Sequence, residues 1–385
     1  MIQRIKEKIV IAFKTVLAAF FCFCPIKKNK IVLESFGGKN FSDNPKMIVQ
    51  EAVAEHKPWD IVWLSAEKPN DLPEQVRWVK YGSAKAFYEW GTARVWVDNI
   101  RQQFRPIKRR GQYYLHTGHG SIGLKYIEKD AEDKLDKRYV KSAKKDGRIT
   151  DAAVSNSKLL DDVYQHSFWL NKRAEVLRTG LPRNDMLFRY KDDKAYIEKV
   201  KESLNIENDQ FVVLYAPTFR DDHSTDGFIK DFDPIIDAVE KRFQKKCRVL
   251  IRMHPNVSKQ GEIYHSNPNV IDVSQDPDSQ RLLIAADCIV SDYSSIVFDC
   301  MLLRKPVFLC ALDYDHYNAL RGVHPVIFDL PCALSQSTQE LIHSIESYDQ
   351  DDYLKKLDEF YLKYPVYDKG DAAKQIVSKI QAIIG

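Results

Sequence analysis

Short apolar runs alternate with polar stretches along most of the chain. Lys30–Phe36, Asp60–Leu64, Trp78–Tyr81, Arg94–Asp98, Tyr113–His116 and Ala152–Ser157 are too short for helices. Their short apolar stretches, rich in Val, Ile and aromatics, read as strands. Helical stretches lie between some of them. One is Lys46–His56, which follows the start signal Ser42-Asp43-Asn44-Pro45, with proline just inside the cap. A second series begins at Phe211–Tyr215 and continues through Arg248–Arg252, Val270–Val273, Cys288–Val290 and Pro306–Leu309. Alternating strands and helices predict an α/β fold with parallel sheets covered on both faces. The charged stretch Lys191–Asn208 reads as a solvated helix plus linker between the two series. The expected organisation is a βα domain over residues 30–190 and a second over 205–385, the second including the amphipathic helices after Tyr353. Two such domains facing each other across a cleft can bind one substrate each.

Composition supports two globular domains. The chain has 385 residues, against a prior of ~150 per domain. A net charge of +4 over that length, with no recognition helix or stacking-aromatic signature, argues against a nucleic-acid partner. Seven cysteines form no paired framework and no zinc spacing. Cys247, Cys288, Cys300 and Cys310 fall in or beside apolar runs and read as buried thiols of a reducing compartment. The first 29 residues differ from the rest. Ile9–Ile26 is apolar apart from Lys14 and Thr15, and it is flanked by Arg4, Lys6 and Lys8 before and Lys27, Lys28 and Lys30 after. It is marginal for a spanning helix, which needs ~20 apolar residues. Bases on both sides predict a membrane-associating helix lying on the cytoplasmic face of a membrane. A helix packed on the domain is the other reading.

Candidate chemistry collects where strands end. The loop His116-Thr117-Gly118-His119-Gly120-Ser121-Ile122-Gly123-Leu124-Lys125 lets backbone pass close to a ligand. His119 is placed as a general base, with His116 as competitor, and Lys125 adds positive charge. In the second half, Thr218 and Arg220 end one strand and can bind phosphate. Arg252 and His254 end the next, and Pro255 keeps His254 extended at the strand-carboxyl rim, where it can donate to a diphosphate oxygen. Ser291-Asp292-Tyr293-Ser294-Ser295 opens the apolar helix Ile296–Leu303. Ser294 or Ser295 can cap it, and amides and hydroxyls at a helix start form an anion site. Asp299, one turn in, is placed for ribose hydroxyls, and Arg321-Gly322 supplies another phosphate contact. Asp313-Tyr314-Asp315 has the form of a metal motif but sits away from the phosphate loop, so no metal or other cofactor is expected. No G-x-S-x-G elbow or P-loop is present.

Taken together, Glu34–Pro45, the His119-Gly120 loop, Ser155-Asn156-Ser157, Gly180–Asp185, Tyr215–Arg220, Arg252–Pro255, Asp292–Ser295 with Phe298-Asp299, and Arg321-Gly322 resemble, in family order, the CDP-glycerol glycerophosphotransferases, which include the teichoic acid primases and polymerases. The resemblance implies two Rossmann-like domains of glycosyltransferase-B-like arrangement with no required metal. It also implies transfer of glycerol phosphate from CDP-glycerol, or ribitol phosphate from CDP-ribitol, onto a membrane-linked glycan or polyol-phosphate acceptor at the cytoplasmic membrane face. The family's motif histidines map to His119 and His254. Ser42, Asn44 and Lys125 are expected on the acceptor side. Gly118, Ser121 and Ile122 stand where the family usually has tryptophan and Thr-Pro, a departure on that same side. A nucleotide-sugar transferase on the same scaffold, and a non-catalytic scaffold of a capsule assembly complex, are the alternatives.

Overall fold

The computed structural model describes residues 14–102, 106–222, 224–253 and 267–385. Two compact units divide the chain. The first comprises residues 1–119, 135–185 and 367–385, and the second residues 120–134 and 186–366.

The first unit is built on seven parallel strands: β1 (Lys27–Leu33), β2 (Asp60–Ser65), β3 (Arg77–Lys80), β4 (Ala93–Asp98), β5 (Tyr113–His116), β6 (Ala152–Val154) and β7 (Glu175–Leu177). Their order is β3-β2-β1-β4-β5-β6-β7, so the direction of winding reverses between β1 and β4. That reversal opens a crevice at the carboxyl ends of the strands, the usual ligand position of such sheets. One apolar layer, including Ile48, Val49, Ile376 and Val377, lies against Ile31, Trp63 and Val97. Another, including Phe87 and Trp90, lies against Val32, Val62 and Trp96. The sheet is therefore covered on both faces, as its apolar strands require.

The second unit has six parallel strands: β8 (Phe211–Ala216), β9 (Cys247–Ile251), β10 (Val270–Asp272), β11 (Cys288–Ser291), β12 (Val307–Cys310) and β13 (Leu334–Ser335). They are ordered β10-β9-β8-β11-β12-β13, with the switch between β8 and β11. Ser291 pairs with Ala216 in register across that switch, and its hydroxyl donates to the Ala216 carbonyl at 2.6 Å. Cys247, Cys288, Cys300 and Cys310 are free and buried, as expected. Burial pushes the Cys247, Cys300 and Cys310 thiols up to about 12.

Three segments fall outside the expected domain bounds. The tail was expected in the second domain, but helix Ala372–Ile384 packs in the first unit, where Ile376, Val377 and Ile380 meet Ile48, Val49 and Ala52. Asp185 fastens its start by accepting from the Ala372 and Ala373 amides at 2.9 and 2.8 Å. Residues 120–134, expected in the first domain, belong to the second unit, and so do residues 186–190. The described part of the apolar N-terminus belongs to the first unit. Residues 14–21 are helical, with Leu17, Ala18 and Phe21 packed on the layer containing Phe87 and Trp90. The opposite side leaves Val16, Phe20 and Phe23 66%, 63% and 91% exposed. The first part of that run, residues 1–13, lies outside the described residues. Among the described residues no helix is long and apolar enough to cross a membrane.

Candidate functional site

In the first unit the residues around His119 form a clamp. Thr117 donates its amide and its hydroxyl to the Asp98 carbonyl at 2.8 and 2.9 Å, anchoring the loop to the end of β4. Gly118 then takes φ +63, which glycine adopts without strain. Asn44, wholly buried, donates to the Gly118 carbonyl at 2.8 Å and to the Thr117 carbonyl at 3.3 Å. Its own carbonyl oxygen accepts the Arg183 amide at 2.9 Å. Arg183 donates to the His119 carbonyl at 2.7 Å and to Asp43 at 3.0 Å. Asp43, at φ +61, also accepts from the Asn99 side-chain amide at 3.1 Å.

The Asn99 backbone carbonyl lies 3.0 Å from His119 Nδ1. A carbonyl can only accept, so Nδ1 carries the proton and Nε2 of the neutral ring keeps its lone pair. Desolvation lowers the pKa of His119 below the ordinary imidazole value. Asp43 and the Asn99 carbonyl oppose that fall, while Arg183 and His116 add to it. The residue is exposed overall. A neutral imidazole with one nitrogen pinned and the other unengaged is a proton acceptor at neutral pH.

His116, the competitor, is buried. Its Nδ1 is 3.2 Å from Asp98, which also accepts from the Tyr114 hydroxyl at 2.8 Å. It belongs to the packing beneath the loop. Ser42 is likewise turned inward, donating to the Asn40 side chain at 2.8 Å and making no side-chain cap to helix Asp43–Ala54. Asn44, expected on the acceptor side, is thus a buried part of the loop's support, and Ser42, expected there too, is buried against Asn40.

The second unit holds a different set. Arg220 was expected to bind phosphate. Instead it is fully buried, donating to Asp313 through Nε and NH2 at 2.6 and 2.8 Å and to Asp292 through NH1 at 2.8 Å. The rings of Tyr317 and Tyr293 lie 4.8 and 5.1 Å from the guanidinium and stack on each other at 3.9 Å. Burial alone would weaken the hold on its proton, but the two carboxylates outweigh it and raise the pKa. Two carboxylates neutralise this arginine, which makes it an internal tie. The same pairing occupies Asp313, the first carboxylate of Asp313-Tyr314-Asp315. Asp299, expected at ribose, is also wholly buried and accepts from the Gln280 amide at 3.3 Å, joining helices Ser279–Ala285 and Ile296–Leu302.

What Arg220 and Asp292 position is the adjoining backbone. Asp292 accepts the Thr218 and Tyr293 amides at 2.8 and 2.6 Å, drawing together the ends of β8 and β11. The Thr218 hydroxyl is buried without a hydrogen-bond partner among the described residues. Ser294 and Ser295 are half-buried. The Ser294 oxygen accepts only a long bond of 3.4 Å from the Ile296 amide, and Ser295 makes no side-chain cap. Arg252 is half-buried and donates to the Asp276 carbonyl at 3.3 Å. His254, which follows it, lies outside the described residues.

Lys125 joins this set because its segment is bound into the second unit. Its backbone bridges Val323. Leu124 donates to the Tyr293 carbonyl at 3.0 Å, and His324 donates to the Leu124 carbonyl at 3.0 Å. Arg321 donates to the Tyr126 carbonyl at 3.3 Å and to Asp221 at 3.0 Å. The Lys125 ammonium is half-buried and makes no side-chain hydrogen bond or ion pair among the described residues. Burial, then the neighbouring Arg321 cation, brings its pKa down to about 8. Expected beside the acceptor, Lys125 instead lies in the unit that holds Thr218, Ser294 and Ser295. Asn99, Arg183 and Asp292 were given no role by the sequence reading. Their signal was available as polar residues directly at strand ends or inside a quoted motif.

Comparison with known proteins gives one consistent answer. A family model described as CDP-glycerol:poly(glycerophosphate) glycerophosphotransferase matches residues 16–382. The teichoic acid glycerol-phosphate transferase of Staphylococcus aureus is 32% identical over 92% of this chain and 93% of its own length. The teichoic acid poly(glycerol phosphate) polymerase of Staphylococcus epidermidis is 30% identical over 91% of this chain, which spans about half (50%) of that relative. Among solved structures, a variant of the wall teichoic acid polymerase TagF superposes with a TM-score of 0.84 at 28% identity, covering 99% of this chain and 96% of that one. A second TagF variant structure, soaked with CDPG, superposes equally well, with a TM-score of 0.84 at 28% identity and the same coverage.

Proposed function

The chain belongs to the CDP-glycerol:poly(glycerophosphate) glycerophosphotransferase family, and from that premise we propose that it moves a polyol phosphate from a CDP-linked donor to an acceptor hydroxyl in teichoic acid synthesis, releasing CMP. Glycerol phosphate is favoured as the transferred group, because the glycerol-phosphate transferase is matched over nearly the full length of both chains. A ribitol-phosphate polymerase of Staphylococcus aureus matches at 26%.

His119 Nε2 takes the proton of the acceptor hydroxyl. That oxygen bonds to the phosphorus bearing the polyol as the bond from that phosphorus to the CMP oxygen breaks. CMP departs with the electron pair. Such transfers depend on positioning and charge stabilisation. We assign the donor phosphates to Lys125, Thr218, Ser294 and Ser295, with Arg321 and Arg252 at the margin and His254 contributing as the family motif implies. Arg220 and Asp299 shape this region from within. The reading needs no metal, since side-chain cations meet the diphosphate charge and Asp313 is taken by Arg220. The acceptor is a membrane-linked glycan or polyol phosphate. Val16, Phe20 and Phe23, exposed beside Lys27 and Lys28, support peripheral attachment at the cytoplasmic membrane face.

The observation that carries the reading is the His119 ring, held at Nδ1 by a backbone carbonyl with Nε2 left to accept. A donor screen detecting CMP by mass, with membranes supplying acceptor, tests it. CDP-glycerol should release CMP in the native protein and far less in His119→Ala, a positioned base being worth ~10²–10⁴-fold. Release of UDP from a UDP-sugar would establish a sugar transferase instead, and no nucleotide release from any donor would leave a scaffold.

A further inference from the structure

Helix Lys137–Ile149 of the first unit carries the sequence KRYVKSAKKDGRI. Val140 and Ala143 face inward, and so does Asp146, its only acid, which pairs with Arg101 at 3.0 Å. The outer face is therefore cationic. Lys137, Arg138, Lys141, Lys145 and Arg148 are exposed, and none has a side-chain hydrogen bond or ion pair among the described residues. Charges on one helix face ordinarily find partners three or four residues away; this helix provides no exposed acid.

The helix returns from the carboxyl ends of the strands, where His119 lies, toward their amino ends. There it meets a cavity of about 620 Å³ lined by Tyr113, Arg148, Asp151, Asn171, Lys172, Arg173 and Glu175. Both carboxylates are already neutralised, Asp151 by Lys108 at 2.5 Å and Glu175 by Lys379 at 2.6 Å. Arg148, Lys172 and Arg173 have no such partner. In the same wall the Tyr113 hydroxyl is buried with no hydrogen bond among the described residues. The cavity thus presents cations, unpaired among the described residues, to whatever enters.

We propose that this cavity and the basic helix face form a binding track for a phosphodiester-linked polyanion, the acceptor chain of the proposed reaction, at a distance from the transfer step. The inference rests on that reading for the identity of the chain. Lys137, Lys141 and Lys145 recur every four residues, a rise of ~6 Å, and so form a row of charges along one side of the helix. The track holds the chain behind its reacting end, so affinity grows with chain length.

The test is binding of synthetic glycerol-phosphate oligomers of increasing length to the full-length protein, without turnover, at several salt concentrations. The variants are Lys141→Glu/Lys145→Glu and Arg148→Glu/Arg173→Glu. In the native protein, long oligomers should bind roughly tenfold or more tightly than the monomer, with a steep salt dependence from released counterions. Both variants should lose most of that gain and flatten the salt slope, while CDP-glycerol affinity and CMP release with the shortest acceptor stay unchanged. Oligomer affinity that ignores length, or variants that keep the full gain, would overturn the track. So would a loss confined to phosphatidylglycerol vesicles, since the face would then be a membrane contact. Because oligomer binding is read without turnover, it is separable from failure of the native protein to use CDP-glycerol, which would sink the reaction instead.

Discussion

His119 and Lys125 are each set by their surroundings, and together they make a pH signature. His119 must be neutral to accept a proton, and desolvation holds its pKa below the ordinary value of ~6.5. In the proposed reaction Lys125 would have to be charged to hold phosphate, and burial brings it to about 8. The pH profile of kcat/KM for CMP release should therefore be bell-shaped, with its acid limb below ~6.5 and its alkaline limb near 8. Lys125→Arg, whose charge does not titrate in this range, should move only the alkaline limb upward. An unmoved alkaline limb would remove Lys125 from the donor site. Arg220 gives the opposite kind of expectation. Replacing it with Met leaves Asp292 and Asp313 buried without their cation, a loss of about 3–5 kcal/mol. Urea denaturation should show that loss. Unchanged stability with a raised donor KM would return Arg220 to the phosphate. A strand-end arginine looks the same in sequence whether it meets a ligand or two aspartates. Here the deciding partners lie far along the chain, at Asp292 and Asp313.

At the scale of elements, the strands were legible because their apolar runs are short and alternate with helical stretches. The helices that cover them were legible less evenly. The stripe Ile376, Val377 and Ile380 marks the last helix as amphipathic, but nothing local says which sheet it covers. Asp185 decides this by capping it from a distance of 187 residues in sequence. Asp185→Ala should cost about 0.5–2 kcal/mol, as loss of a cap does. Hydrogen exchange should speed up across residues 372–384 more than elsewhere in the first unit. Uniform exchange would mean that the apolar stripe alone holds the helix. The strap of residues 120–134 is a similar case. Its backbone bonds to Tyr293, Gly322 and Val323 carry it into the second unit, although it begins in a loop of the first.

At the scale of the molecule, donor binding is assigned to one unit, and this has a measurable consequence. Saturating CDP-glycerol should protect amides at Thr218, Tyr293–Ser295 and Leu124–Tyr126 from exchange, all within the second unit. Protection confined to the first unit would reverse the assignment. The sequence by itself determined the α/β class, the two strand series, the His119 loop and the family. These follow from periodicity, from glycine at strand ends and from the order of motifs, all of which are local or linear. Only the tertiary structure decided that Arg220 and Asp299 are internal, that Lys125 lies in the second unit, that the tail closes the first, and that the Asn99 carbonyl holds the His119 ring. Each depends on which strand ends become neighbours. A backbone carbonyl has no letter of its own, and a charged side chain carries no mark of whether its partner will be solvent, ligand or an opposite charge folded in from elsewhere.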